Sequence, residues 1–324
     1  MRKGLIATIL ISIFLTGSLW AGLPATRVTY DNGLEVVFVE NHASPMITSI
    51  VFVNAGARYE NEMTNGSTHF LEHLLFDGTR KYTQEQLDDL VERHGGYINA
   101  FTRKDLTCYL VLMPTEYIDY GLEVQSEQLF YSIIPEDKVD KERKIVIEEI
   151  RMGDDNVEDL VDEFNSSIVY AGTPYARPVL GYEQLIAQMP REDILDYYHA
   201  YYAPNNMVAL VIGDFQTEEF INRYMTYFGT APRKEIPPEA KFNVTIPAGK
   251  KVVDREMDAE QCYLNFTGNA PLHSDPDYYP FYILNELLND DALSPLHETL
   301  MGGETPLVSS VSTGIYPQKD FSHF

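Results

Sequence analysis

The segment HFLEH at residues 69–73 places two histidines four residues apart, with a glutamate between them. If this segment is helical, residues three and four apart lie on one face, so His69, Glu72 and His73 project together. Two neutral imidazoles that converge on one point can bind zinc, and a carboxylate beside a zinc-bound water can act as its base. The spacing therefore predicts a metal site with hydrolytic chemistry.

The residues around this segment predict that its helix is buried. Apolar side chains lie on nearly every side of the three polar groups, at Phe70, Leu71, Leu74, Leu75 and Phe76. Imidazoles and a carboxylate in a buried helix must either be paired by hydrogen bonds or bind a metal ion. We favour the metal ion, and a hydrogen-bonded core network is the alternative.

A third protein ligand is predicted on a helix that begins near Pro135. In the helical periodicity of residues 139–153, Glu142 and Glu149 fall in the middle of the apolar stripe, whereas Glu148 faces the opposite, solvated side. A carboxylate on a buried face is costly unless it meets a cation. Glu149 is therefore the predicted third ligand of the zinc ion.

Two roles are open for Glu142, which lies two turns before Glu149. It could stand behind the ligands as a carboxylate that orients one of them. Alternatively, it could form a buried pair with a basic side chain such as Arg143 or Arg151.

Turn, strand and helix signals along the chain favour the α+β class. Residues 27–40 are typical of a hairpin that turns at the sequence DNG, residues 31–33. Residues 83–94 are typical of a helix that begins with a capping box formed by Thr83 and Gln86. We expect an antiparallel sheet packed with helices. Further strands are predicted at residues 47–54, 97–101, 106–113 and 207–213.

HxxEH is the inverted form of the HExxH motif of zinc proteases. Three further segments resemble segments of one family. GGYINAFT at residues 95–102, followed by Asp105 and Thr107, is similar to the family's segment GG…NAxTxxDxT. ERKIVIEEI at residues 142–150 is similar to its ligand helix, and YAPNNM at residues 202–207 is similar to the start of a late strand. Over most of its length the chain thus resembles the pitrilysin/insulinase family of inverted zincins, in particular its bacterial branch similar to mitochondrial processing peptidase.

The resemblance implies a zinc endopeptidase that hydrolyses extended peptides. His69, His73 and Glu149 would be the ligands of one zinc ion, and Glu72 would be the general base. Two other classes remain open. One is a non-catalytic or partner-dependent assembly or binding subunit of a peptidase complex, and the other is a metal-dependent hydrolase of non-peptide substrates.

The resemblance also implies that substrate binds as an added strand along the edge at residues 97–103. Asn99, Ala100 and Phe101 would be the substrate-binding residues, with Asn99 and Ala100 as the main-chain partners. The alternative is an ordinary strand after a helix that ends at Gly95. Strand addition suits a peptide, which disfavours a non-peptide substrate.

Three segments of different composition predict the domain organisation. Residues 26–230 would form the catalytic domain, the proline-rich residues 231–251 a linker, and residues 252–324 a partial second domain homologous to the first. Where the second copy aligns with the zinc motif, Tyr282, Asn285 and Glu286 replace the ligands and the base. We therefore expect a duplicated fold whose second copy is incomplete and non-catalytic.

Enzymes of the family carry an arginine and a tyrosine in the second half that contact the substrate. Met301 and Val308 stand at the aligned positions here. The resemblance therefore implies a possible second subunit that supplies this clamp.

The N-terminus has the pattern of a secretory signal peptide. Residues 1–3 include two basic side chains, residues 5–15 are apolar, and small residues precede Ala21. Removal of residues 1–21 would leave a periplasmic or secreted protein. The apolar run is too short to predict a stable membrane span.

The chain is strongly acidic, with 49 acidic and 24 basic residues and a formal charge of −25. This charge disfavours nucleic acid as a partner. It could attract basic peptides or simply maintain solubility. The two cysteines, Cys108 and Cys262, are predicted to be separate buried thiols in strands rather than a disulfide.

Overall fold

The computed structural model describes residues 25–246, 249–290 and 294–324. The strands are β1 Ala25–Thr29, β2 Glu35–Glu40, β3 Met46–Val53, β4 Tyr97–Thr102, β5 Thr107–Pro114, β6 Met207–Gly213, β7 Tyr316–Pro317 and β8 Ser322–His323. The helices are α1 Ser67–Leu74, α2 Gln84–Glu92, α3 Ile118–Tyr131, α4 Glu136–Asp154, α5 Val157–Val169, α6 Glu183–Gln188, α7 Arg191–Tyr201, α8 Thr217–Phe228, α9 Tyr278–Asn289 and α10 Pro295–Leu300.

Strands β1 to β6 form one sheet in the order β1-β2-β6-β3-β5-β4. Neighbouring strands are antiparallel except β2 and β6, which are parallel. In the hairpin predicted at residues 27–40, Thr29 pairs with Glu35, and Gly33 turns the chain with a φ of +88°. The α+β class is confirmed, with one parallel strand pair within the sheet.

One face of the sheet is buried beneath helices, and the other face is partly open. Alternate residues of β3, from Ile47 to Val53, are fully buried, and the residues between them are half-buried. Helices α3 and α8 cover the buried face. The hydroxyl of Ser49 donates to Gln125 Oε1 of α3 at 2.7 Å, and Phe38 of β2 packs edge-on against Tyr224 of α8.

The C-terminal part of the chain has less regular structure than the six-stranded domain. Helix α9 includes the residues that align with the zinc motif. Residues 263–268 form no strand in the described parts of the chain, and only Gly268 exchanges main-chain hydrogen bonds with the segment around β8, at Phe324. Leu264 and Phe266 are accordingly 70% and 85% exposed.

A buried charged cluster holds this C-terminal part against the first domain. The guanidinium of Arg58, with its side chain 1% exposed, donates to Asp105 Oδ1 at 3.1 Å, to Asp320 Oδ2 at 2.8 Å and to the carbonyl of Ala240 at 2.6 Å. Asp105 lies in the turn between β4 and β5. The network therefore fixes two distant segments beside the end of the edge strand β4.

The predicted signal peptide, residues 1–21, lies outside the described residues. Among the helices that are described, none combines the length and the hydrophobicity that crossing a membrane requires.

The two cysteines are separate free thiols, but only Cys108 is buried. The expectation that Cys262 is also buried in a strand is wrong, because its segment has no strand neighbour to cover it. Burial raises the pKa of the Cys108 thiol to about 11, with a further contribution from the charge of Glu72.

This difference predicts that the native protein has one reactive thiol. Only a thiolate attacks a disulfide reagent, so a buried thiol with a raised pKa reacts slowly. We expect Ellman's reagent to modify about one thiol quickly in the native protein and the second only in denaturant. Cys262→Ser should remove the fast phase, and two fast thiols in the wild type would contradict the fold around Cys108.

Candidate metal and peptidase site

Helix α1 presents the three polar residues of the HxxEH segment on one side and its apolar residues on the other. Phe70, Leu71 and Leu74 are fully buried, which anchors the helix in the core. The chain enters α1 through Gly66, whose φ is +94°. A Cβ at Gly66 would lie 2.7 Å from the carbonyl oxygen of Leu180, so no larger residue fits this entry.

Helix α4 brings Glu149 to the two histidines. Glu149 Oε2 lies 3.6 Å from His69 Nε2 and 3.4 Å from His73 Nε2. One ligand atom from each of these residues lies within 4.8 Å of the others. Ligands at about 2.0–2.1 Å from a tetrahedral zinc ion are about 3.4 Å apart, so the two spacings between Glu149 and the histidines suit zinc.

The protonation state of His69 also suits a metal ligand. Burial, and secondarily the nearby His73, lowers the pKa of His69 to about 3, so its imidazole is neutral at physiological pH. Its Nδ1 atom is buried and has no hydrogen-bond partner. A core network that satisfies both rings, the alternative from the sequence, therefore does not describe this residue.

Glu142 lies behind His73, two turns before Glu149 on the same helix. Its Oε2 is 3.4 Å from His73 Nδ1, and its Oε1 is 3.0 Å from the ammonium of Lys141. Arg143 and Arg151, the pairing partners considered from the sequence, bind elsewhere: Arg143 donates to the carbonyl of Ile186, and Arg151 pairs with Glu148 and Glu183. Glu142 is thus placed to orient the His73 ring.

Glu72 shares the face of α1 with the two histidines and contacts the edge strand β4. The hydroxyl of Thr102 donates a 2.5 Å hydrogen bond to Glu72 Oε2. Burial raises the pKa of Glu72, whereas the Thr102 hydrogen bond and the charge of His73 oppose this rise. A carboxylate with a raised pKa beside a metal site can accept and return a proton.

The residues predicted to bind substrate lie on β4, at one edge of the sheet. Tyr97, Asn99 and Phe101 are exposed on the open face of the sheet, while Ala100 and Thr102 are half-buried towards the helices. In the described chain β4 pairs only with β5, so its other edge is free. The main-chain N–H of Ala100 bonds to Asn99 Oδ1 at 2.9 Å.

Thr102 lies in the segment GGYINAFT but was not among the predicted site residues. The signal available was strand alternation: Thr102 is two residues from Ala100 and therefore on the same face. Contact with α1 could not be read from the strand alone. It depends on the packing of α1 against β4.

In the described part of the chain, the residues that align with the zinc motif, Tyr282, Asn285 and Glu286, form no metal-ligand set. Asn285 is buried and accepts a 2.9 Å hydrogen bond from the hydroxyl of Thr313, and Tyr282 is 46% exposed. The only grouping of metal-ligand residues found in the described chain is that of His69, His73 and Glu149. Met301 follows the end of α10, and the N–H of Val308 donates to the carbonyl of Leu300.

Comparisons with known proteins identify relatives of the chain. A family model described as "Insulinase (Peptidase family M16)" matches residues 35–183, and one described as "Peptidase M16 inactive domain" matches residues 188–324. The second match begins within the six-stranded domain and includes its central strand β6.

Individual relatives agree with these matches. An uncharacterized zinc protease, YmxG of Bacillus subtilis, is 33% identical over 278 residues, which cover 84% of this chain and 66% of that protein. The mitochondrial-processing peptidase subunit beta of Bos taurus is 28% identical over 274 residues, covering 83% of this chain and 55% of that protein. The chain thus spans about half to two thirds of the length of these relatives.

A solved structure extends the agreement to the fold. A protease from Helicobacter pylori superimposes with a TM-score of 0.80 at 25% identity, covering 93% of this chain and 74% of that chain. The predicted resemblance is confirmed: the chain belongs to the insulinase family of peptidases, family M16.

Proposed function

We propose that this protein is a zinc-dependent endopeptidase that hydrolyses extended peptides. The observation that carries the proposal is the donor set His69 Nε2, His73 Nε2 and Glu149 Oε2, spaced at 3.4–3.6 Å about the glutamate oxygen, with Glu72 on the same helix face. The zinc proteases among the relatives support the same metal. A non-catalytic assembly role is not favoured, since all the predicted ligands and the base are retained.

Different residues of the site have different roles in hydrolysis. A bound zinc ion would activate a water molecule at neutral pH. Glu72 accepts a proton from the attacking water and then donates it to the amine leaving group. The hydroxyl of Thr102 donates a hydrogen bond that fixes Glu72 Oε2. Glu142 lies beside Nδ1 of His73, and Nε2 of the same ring faces Glu149.

The free edge of β4 supports an extended peptide as substrate. The N–H of Arg103 donates to the carbonyl of Leu106 at 2.8 Å, which directs the main chain of Arg103 towards β5. Because main-chain direction alternates along a strand, Ala100 and Thr102 direct their N–H and C=O groups to the free edge. The main chain of Asn99 is directed towards β5 instead, so Thr102 rather than Asn99 would be the second main-chain partner of a substrate. A substrate strand would pair there and displace the Asn99 side chain from the N–H of Ala100.

A second subunit and an extracytoplasmic location complete the proposal. Met301 and Val308, at the positions that align with the family's arginine and tyrosine, support a partner that supplies the substrate clamp. The signal-peptide pattern of residues 1–21 supports a periplasmic or secreted protein.

Peptide cleavage under metal control tests the proposal. The full-length protein, with any subunit that co-purifies, is stripped with a chelator, assayed on unstructured fluorogenic peptides, and assayed again after one equivalent of zinc is restored. We expect cleavage to vanish on stripping and return with zinc. Cleavage that persists in the metal-free protein, or its absence from the zinc-loaded protein, would contradict the proposal.

The Thr102 hydrogen bond predicts a change in pH dependence. Thr102→Val removes a donor that stabilises the charged form of Glu72, so the pKa of Glu72 rises. Since Glu72 must be deprotonated to act as a base, the acidic limb of the kcat/KM profile should move to higher pH. At the midpoint of the wild-type limb the activity should fall severalfold.

Thr102→Ser is the matched control, because it keeps the hydroxyl and loses only a methyl group. Its acidic limb should coincide with that of the wild type. An unshifted limb in Thr102→Val would show that Thr102 does not tune the base.

A further inference from the structure

Glu60 is a buried carboxylate that binds the N-terminus of the metal-site helix. It is 5% exposed. Its Oε1 accepts a hydrogen bond from the N–H of Thr68 at 2.8 Å. Its Oε2 accepts hydrogen bonds from the N–H of Gly66 and from Asn65 Nδ2, each at 2.9 Å. Both carboxylate oxygens thus accept hydrogen bonds from groups at the start of α1.

Helix α1 has no cap of its own. The residue before it is Gly66, which has no side chain to accept the free N–H groups that every helix start leaves. A negative charge is also stabilised by the positive end of the helix dipole. Glu60, six residues earlier in the chain, therefore supplies both the acceptors and the charge that the first turn lacks.

Burial raises the pKa of Glu60, and the hydrogen bonds from Thr68, Gly66 and Asn65 oppose this rise by stabilising its charged form. Burial lowers the pKa of Lys104 to about 8, and the charge of Glu60 is the first of the contributions that oppose this fall. The two groups belong to different segments that meet only in the folded protein. The start of α1 is therefore held by long-range contacts.

The two histidines of the site differ in how they are held. His73 has Glu142 behind its Nδ1, whereas the Nδ1 of His69 is buried without a partner. The ring of His69 is thus not oriented by a hydrogen bond of its own. Its position depends on the backbone of the first turn, where the preceding residue, Thr68, is bound to Glu60.

From this asymmetry we infer that Glu60 is a positioning residue for the metal site. It fixes the first turn of α1 and so places His69 Nε2 opposite Glu149. This inference rests on the proposed function, since it assigns Glu60 a part in zinc binding. It predicts that Glu60 contributes to zinc affinity without touching the metal.

Zinc affinity in the folded full-length protein tests the inference. In Glu60→Gln, the amide NH₂ replaces one acceptor oxygen and must face at least one of the three donors. We expect its zinc dissociation constant, measured by competition with a chromophoric chelator, to rise about 10–100-fold, the effect usual for residues that orient ligands. The control is Thr83→Ala, which removes the capping box of α2, a helix without metal ligands.

The outcomes separate the inference from the proposed function. Weaker zinc binding in Glu60→Gln, with unchanged binding in Thr83→Ala, supports the inference. Equal zinc affinity in Glu60→Gln and wild type overturns it, even if the melting temperature falls. If Glu60→Gln does not fold, Glu60→Asp decides by the same comparison. Failure of the wild type to bind zinc would overturn the proposed function itself.

Discussion

Replacing Glu72 with glutamine will remove peptide cleavage while leaving zinc bound. The amide keeps the size of the side chain but cannot accept a proton, and general acid–base catalysis typically contributes about 10²–10⁴-fold to a rate. We therefore expect kcat/KM on an unstructured peptide to fall by at least about 10²-fold. Zinc content should stay near one equivalent, because Glu72 is not among the three grouped ligands.

Two measurements on the same sample make this result decisive. Metal analysis reports whether the ligands are intact, and the peptide assay reports the chemistry. Full turnover in Glu72→Gln would show that another group is the base. Loss of zinc would show that Glu72 is a ligand rather than a base.

Replacing Glu149 with glutamine will weaken zinc binding and remove cleavage together. Glu149 Oε2 lies within 3.6 Å of both histidine Nε2 atoms, so its charge supplies the third side of the site. Loss of an orienting residue alone weakens metal binding by about 10–100-fold, and loss of the charged ligand should exceed that range. Competition with a chelator measures the change.

The neighbouring glutamate provides the matched control. Glu148 is 66% exposed and pairs with Arg151. Glu148→Gln therefore removes one negative charge, as Glu149→Gln does, from the adjacent residue and on the side of the helix away from the histidines. Its zinc affinity and activity should equal those of the wild type. A similar loss in both variants would mean that general electrostatics, rather than ligation by Glu149, sets the affinity.

Helical periodicity explains why the candidate site could be predicted from sequence. The 3.6-residue repeat puts His69, Glu72 and His73 on one face and separates Glu149 from Glu148, and the structure has the same arrangement. These are local relations within single helices. They need no knowledge of how the helices pack.

Contacts between distant segments could not be predicted in the same way. Strand β6 enters the sheet between β2 and β3, although it follows them by more than 150 residues, and no local pattern encodes that pairing. Glu60 caps α1 from outside the usual capping position, so the usual sequence signature is absent. Thr102 meets Glu72 only because β4 packs beside α1.

An error in the C-terminal part of the chain has a related cause. Cys262 was predicted to be buried in a strand, which assumes that a neighbouring strand covers its segment. In the described residues that segment has no strand to pair with, and Cys262 is exposed. Strand patterns are realised only where a partner strand exists.

Anomalous X-ray diffraction at the zinc absorption edge, from crystals of the zinc-loaded protein, locates the metal ion. We expect one strong anomalous peak about 2 Å from His69 Nε2, His73 Nε2 and Glu149 Oε2. A crystal loaded with zinc that has no peak among these three atoms, or whose only strong peak lies elsewhere, would contradict this expectation.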